Sequence, residues 1–208
     1  MPATTTATTR RSQAERSAST REALLDATIA CLVEDGYAKT TTSRVAARAG
    51  FSRGAHLHHF QTRQALVAAA MERLAQRRGE HLLAAAETLP EGRDRIVEGL
   101  DLVWSSYASP LYQAALDLWT HARTDPDLRE RLDPVERRLD RETAMVARRL
   151  FPEIADRDGF ERLLEMATAT MRGLALLETL HPGSGRNARQ WTYCRERLVE
   201  LVEALPPV

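Results

Sequence analysis

Three histidines, three arginines and a row of threonines are crowded into TTTSRVAARAGFSRGAHLHHF, residues 40–60, and they are the side chains with the most chemistry to offer. Metal binding is one use to weigh. Of His56, His58 and His59 only the first and last would share a helix face, no HExxH pair occurs, and no nearby carboxylate completes a ligand set. The chain also has no phosphate loop, dinucleotide fingerprint or nucleophile elbow, so neither a metal site nor an enzyme is expected. The same residues suit an anion. Arg53 carries a planar fork that can pair with a phosphate or a guanine edge, and His58 and His59 are shorter donors beside it. Ser52 is placed to cap a helix whose unpaired N–H groups and positive dipole end attract phosphate, and Gly54 lets a backbone approach closely.

Charge points the same way. The chain is formally neutral, with 29 Lys and Arg against 29 Asp and Glu in 208 residues, which argues against coating nucleic acid by bulk electrostatics. Yet no Asp or Glu falls between Gly36 and Met71, where Lys39, Arg44, Arg48, Arg53, Arg63 and the three histidines all lie. One basic segment inside an otherwise acidic chain is the pattern of a nucleic-acid-facing part. Cys31 and Cys194 are far apart and make neither a disulfide framework nor a zinc spacing; they read as small buried residues in a reducing cytoplasm. No apolar leader or bilayer-length run is visible, so no membrane association is expected.

The elements that must position these residues are helical throughout. Ala, Leu, Arg and Glu dominate, and no stretch sustains period-two alternation of β-branched residues. Residues 1–18 are expected to form a disordered arm. Ser19 with Glu22 then reads as a capping box opening a helix that carries Leu25, Ile29 and Leu32 on one face and stops at Gly36. Thr40–Thr42 start a short helix with Val45, Ala46 and Ala49, closed by Gly50; Ser52 caps a very short one ending near Phe60; Thr62 caps a fourth with Leu66, Ala70 and Leu74. Short helix, glycine turn, short helix is the grammar of a helix-turn-helix. Beyond Gly79, Pro90, Pro110, Pro126, Pro152 and Gly159 mark the joints of an antiparallel bundle, with a capping box at Asp158 and Glu161.

From Ser19 to about Met71, a third of the chain, the sequence resembles the TetR family of transcriptional regulators. The resemblance rests on Gly36-Tyr37, Thr40-Thr41, Val45-Ala46, Ala49-Gly50, Phe51-Ser52, Gly54-Ala55, His58-His59-Phe60 and Thr62-Arg63-Gln64-Ala65-Leu66. One position departs: His56-Leu57 stands where the family usually has Leu-Tyr, so the familiar tyrosine contact to phosphate is absent. The resemblance implies an all-α chain with a three-helix DNA-binding domain at residues 19–62 and a ligand-binding and dimerisation bundle at 63–208. It further implies DNA contacts from Thr42, Ser52, Arg53, Gly54, His58 and His59, with Thr62 and Arg63 on the backbone, and Tyr37 and Thr40 as weaker candidates. Each has a structural alternative: Thr42 as a helix cap, His59 as a buried hydrogen-bonded ring, Arg44 and Arg48 as solvated charges.

By the same resemblance the partners are a double-stranded, palindromic operator, a small apolar or aromatic effector that releases a repressor, and a second copy of the chain, with no cofactor. The stripes Phe160, Leu163, Leu164, Ala167, Met171, Leu174 and Ala175, then Trp191, Cys194, Leu198, Leu201 and Val202, suit a four-helix dimer interface or a protomer core, and Ala167, Ala169 and Gly173 keep the earlier helix thin. Trp104, Tyr107, Tyr112, Trp119, Met145, Met166 and Met171 are the large adaptable side chains available to a pocket, and Trp104, Tyr107, Trp119, Met145 and Met166 are taken as its lining. His121 and Arg123 read as a surface pair with Asp117 or Asp125 rather than as an acid-binding site.

Overall fold

The computed structural model describes residues 13–52, 58–180 and 185–207. Among them are eight helices and no strand: α1 Gln13–Lys39, α2 Thr42–Arg48, α3 Arg63–Ala86, α4 Gly92–Tyr107, α5 Pro110–Ala122, α6 Pro126–Leu150, α7 Phe160–Leu180 and α8 Arg186–Glu203. His58 and His59 add a further helical pair before α3.

Local chemistry explains most of the boundaries. Thr41, rather than Thr42, caps α2, its hydroxyl accepting from the Arg44 N–H, so Thr42 is the first helical residue. Thr62 caps α3 through the Ala65 N–H, and Ser109 and Asp125 cap α5 and α6, each followed by a proline whose missing donor costs nothing there. Two expected starts differ. α1 begins by Gln13, so residues 13–18 of the expected arm are helical, because Ala14, Glu15 and Arg16 continue the helix upstream of Ser19. Glu22 therefore does not close a capping box; its carboxylate pairs with Arg73 of α3. Likewise α7 begins at Phe160, and Glu161 turns away from the expected box to pair with Arg148 at 2.5 Å.

Three apolar clusters stack along the molecule. Leu24, Leu25, Cys31, Val45 and Phe60 form the core of the head together with Leu66 and Ala70, which belong to α3. A boundary at residue 62 therefore cuts through that core. Leu32 and Tyr37 from α1 then meet Val67, Ala68 and Met71 of α3, Leu118 of α5 and Leu128 of α6 in a second cluster. The third, in the body, gathers Tyr107, Leu150, Met171, Ala175, Trp191 and Val199.

The stripes read as a dimer face fall mostly in this third cluster: Phe160, Ala167, Met171, Leu174 and Ala175 of α7 pack against Trp191, Leu198 and Val202 of α8 within one protomer. α7 carries a second apolar row that points outward, and α8 exposes two large apolar side chains among charged ones. The α7 row runs Met166, Ala169, Gly173, Leu176, Leu180, with Leu180 68% exposed and open space among the described residues where a Gly173 side chain would stand. On α8 the two are Tyr193 and Leu201.

Candidate functional site

The head is pinned from inside and tied at its edges. Val45 and Ala46 bury α2 against α1, and the Phe51 N–H donates to the Ala46 carbonyl to close the turn at Gly50. Arg44 and Arg48 are not simply solvated: they pair with Asp35 at 2.7 Å and Glu34 at 2.6 Å, fastening α2 to the end of α1. The proposed DNA contacts divide by position. Thr42 is half-buried at the start of α2, while Ser52 is exposed after the turn. Arg53, Gly54 and His56 lie outside the described residues. His58 is exposed and His59 half-buried, their rings edge-on with centroids 5.5 Å apart. Burial, then the neighbouring His58 and Arg21, push the His59 pKa below the usual imidazole value.

Three expected DNA contacts are taken up by the protein itself. Thr40 is buried and its hydroxyl donates to the Gly36 carbonyl at 2.8 Å. Tyr37 is buried, and Arg63 lies over its ring, the guanidinium 3.7 Å from the centroid while Nη2 donates to the Tyr37 carbonyl. Arg63 thus ties the start of α3 to Tyr37.

Tyr37 is in fact the hub between head and body. Gly36, at φ 74° and ψ 171°, breaks α1 so that the Tyr37 N–H turns toward α5 and donates to Asp117 Oδ2 at 2.6 Å. Its hydroxyl reaches Asp125 Oδ2 at 3.4 Å, and its ring lies 5.1 Å from that of His121. His121 is held in turn by Asp117, Nδ1 standing 3.2 Å from Oδ1, which is the surface pair expected for it.

α5 has another face. Tyr112, Ala115 and Trp119 look into a cavity of about 350 Å³ bounded by α3, α4, α6 and α7, with Ile29 of α1 on its rim. Leu74, Leu111, Leu139 and Met71 supply apolar walls, and Arg78, Ser106, Tyr107 and Arg172 bring polar groups. Of the residues expected to line a pocket, Tyr107 and Trp119 are here. Trp104 is not: it stacks on Trp191 at 5.1 Å and 17°, whose indole N–H donates to Asp101 at 2.7 Å. Met145 and Met166 are 54% and 41% exposed on the outer surface. Sequence reasoning missed Arg78 and Arg172, because nothing local marks an arginine that several helices turn inward.

Trp119 anchors one wall. Its indole N–H donates to Glu136, and burial pushes that carboxyl above the ordinary range although the Trp119 bond and Arg172 both pull it down. Among the described residues no cluster of His, Cys, Asp and Glu could hold a metal ion, and no helix is long and apolar enough to cross a membrane.

Two family models match the chain. Residues 24–70 match the N-terminal model described as bacterial regulatory proteins, tetR family, and residues 106–204 match the C-terminal model of BetI-type transcriptional repressors. The HTH-type transcriptional regulator CymR of Pseudomonas putida is 33% identical over 171 residues, covering 80% of this chain and 83% of the relative. A transcriptional regulator from Rhodococcus sp. Rha1 superimposes with a TM-score of 0.67 at 22% identity, over 90% of this chain and 98% of the other. A regulator from Saccharomonospora viridis, solved in complex with choline, gives 0.64 at 19% identity over 91% and 99%. At those identities the two solved structures speak for the fold alone.

Proposed function

Because the chain belongs to the TetR family of transcriptional regulators, we propose that it is a homodimeric repressor released from a palindromic operator by a small organic effector. The observation that carries this reading is the two-faced α5: Tyr112, Ala115 and Trp119 line the cavity, while Asp117 and His121 on the same helix hold the end of the head through Tyr37. A rigid element touched by both sites can be biased by either, and the coupling is reciprocal.

In this reading Thr42, Ser52, Arg53, Gly54, His58, His59 and Thr62 face DNA, and Arg63 holds the head to the body. Tyr107 and Trp119 contact the effector. The outward row Met166, Gly173, Leu176 and Leu180 of α7, with Tyr193 and Leu201 of α8 beside charged neighbours, pairs with that of a second copy, since an apolar row such as that of α7 is seldom left in water. A two-fold dimer presents its two reading heads about one or more helical turns apart, so the operator has mirrored half-sites.

Selection of bound sites from a random duplex pool at near-physiological salt tests the proposal. The expected result is one enriched motif with two inverted half-sites. Absence of enrichment, with weak binding at low salt as well, overturns it.

A further inference from the structure

The cavity carries a specific chemical asymmetry. Tyr107 and Tyr112 are 1% and 8% exposed, their rings meet edge-on at 4.7 Å, and neither hydroxyl has a hydrogen-bond partner among the described residues. Two buried donors left unpaired are a standing cost, and since both oxygens have almost no accessible surface, an occupant relieves it through a small shift of the two phenol rings. Beside them, the Arg78 guanidinium lies 4.5 Å from the Tyr107 ring centroid and Nε donates to Ser106 Oγ at 2.9 Å. Among the described residues Arg78 has no carboxylate partner. Arg172 stands opposite, 5.4 Å from the Trp119 centroid, its Nε buried and unpaired and its Nη2 3.5 Å from Asp140. Burial opposes the Arg172 charge, but Tyr107, Tyr112, Glu136 and Asp140 outweigh it and hold its pKa above the ordinary value. Arg77, also on the lining, pairs with Asp26 at 2.9 Å. Among the described residues no Asp or Glu lines the cavity.

Taken as donors and acceptors, these groups offer hydrogens and positive charge and ask for a compact anion. A carboxylate has two oxygens with room for a forked guanidinium and both phenols at once. Inorganic phosphate would satisfy the same donors but would leave Leu74, Leu111, Leu139 and the Trp119 face uncovered. A quaternary ammonium fits poorly, although three aromatic rings are present: the Tyr107 and Trp119 faces that would cage it already carry guanidinium groups. We propose that this cavity binds an organic carboxylate with a compact apolar body, the carboxylate held by Arg78, Tyr107 and Tyr112 and the body laid against Leu74, Leu111, Leu139 and Trp119. The assignment rests on reading this body as the effector-binding part of the regulator.

Direct titration of the purified protein without DNA, followed by calorimetry, tests it with phenylacetate and octanoate against phenylacetamide, octanamide, choline and inorganic phosphate. Each acid is expected to bind at least about tenfold more tightly than its amide, with choline and phosphate weaker still. Arg78→Met is expected to reduce acid binding to the amide level and leave amide binding unchanged; Tyr112→Phe, a fold-conserving change, should narrow the acid-to-amide ratio by several-fold. The inference is overturned if the amides or choline bind as well as the acids, if neither acid binds at millimolar concentration, or if both variants keep the wild-type ratio. Operator recovery without acid binding sinks this inference alone, whereas acid binding without any operator sinks the repressor reading alone.

Discussion

Gly36→Ala is expected to destabilise the fold by about 1–4 kcal/mol, and its parts can be worked separately. At φ 74° and ψ 171° the backbone lies in a region that only glycine enters readily, so an alanine there is strained by about 1–3 kcal/mol. The added Cβ would also stand 3.2 Å from Asp117 Oδ2, the oxygen that accepts the Tyr37 N–H. Moving that carboxylate by a few tenths of an ångström weakens a charge-assisted bond whose whole worth is about 1.5–3 kcal/mol. Against these, alanine restricts the unfolded chain and returns about 0.4–1 kcal/mol. Urea denaturation followed by far-ultraviolet circular dichroism, at fixed protein concentration, reads the sum. Repeating it in an Asp117→Ala background isolates the contact: the strain remains, the crowding disappears, and the Gly36→Ala cost should shrink by about 1 kcal/mol. A Gly36→Ala protein within about 0.5 kcal/mol of the parent, with the junction intact, would refute the argument that the break in α1 is held open by Tyr37 and Asp117.

Two further outcomes are expected. Glu136→Gln should raise the melting temperature more at pH 7.5 than at pH 4: the folded carboxyl titrates above the ordinary value of about 4.3, so no penalty exists below that value, and stability falls as pH rises from there through the folded pKa. A melting difference that is the same at both pH values would show that burial of this carboxyl costs nothing. Leu176→Glu with Leu180→Glu should convert a dimer to a monomer in sedimentation equilibrium with little change in helix content, because both side chains are exposed in the protomer; a dimer that survives both charges places the interface elsewhere.

The head was largely legible from sequence because its signals are local. Thr62 as a cap, Gly50 as a left-handed turn residue and the apolar spacing of Leu25, Val45 and Leu66 each depend on neighbours within a few residues. What failed was non-local. Ser19 looked like a helix start, but the upstream run of helix formers carried α1 through it. Arg63 looked like a phosphate contact, and only the fold brings Tyr37, 26 positions earlier, under its guanidinium. Periodicity located apolar faces on α7 and α8 without saying which face a partner takes, since α7 has two. The pocket was the least legible part: residue size alone nominated Met145 and Met166, which are exposed, and could not find Arg78 or Arg172, whose meaning depends on what surrounds them.

The sharing of α3 between two clusters bears on how such a chain could be recombined. Leu66 and Ala70 complete the floor of the head, while Val67, Ala68 and Met71, on the adjoining face of the same helix, fill the cluster below. A crossover placed before Leu66 would graft a head onto a foreign floor. One placed after Met71 would keep the floor but bring a new surface to α5, and it would be tolerated only where the recipient supplies carboxylates in the places of Asp117 and Asp125 for Tyr37. The interchangeable unit therefore ends inside a helix, and its compatibility with a new body is written in two acidic residues that lie far from it in the chain.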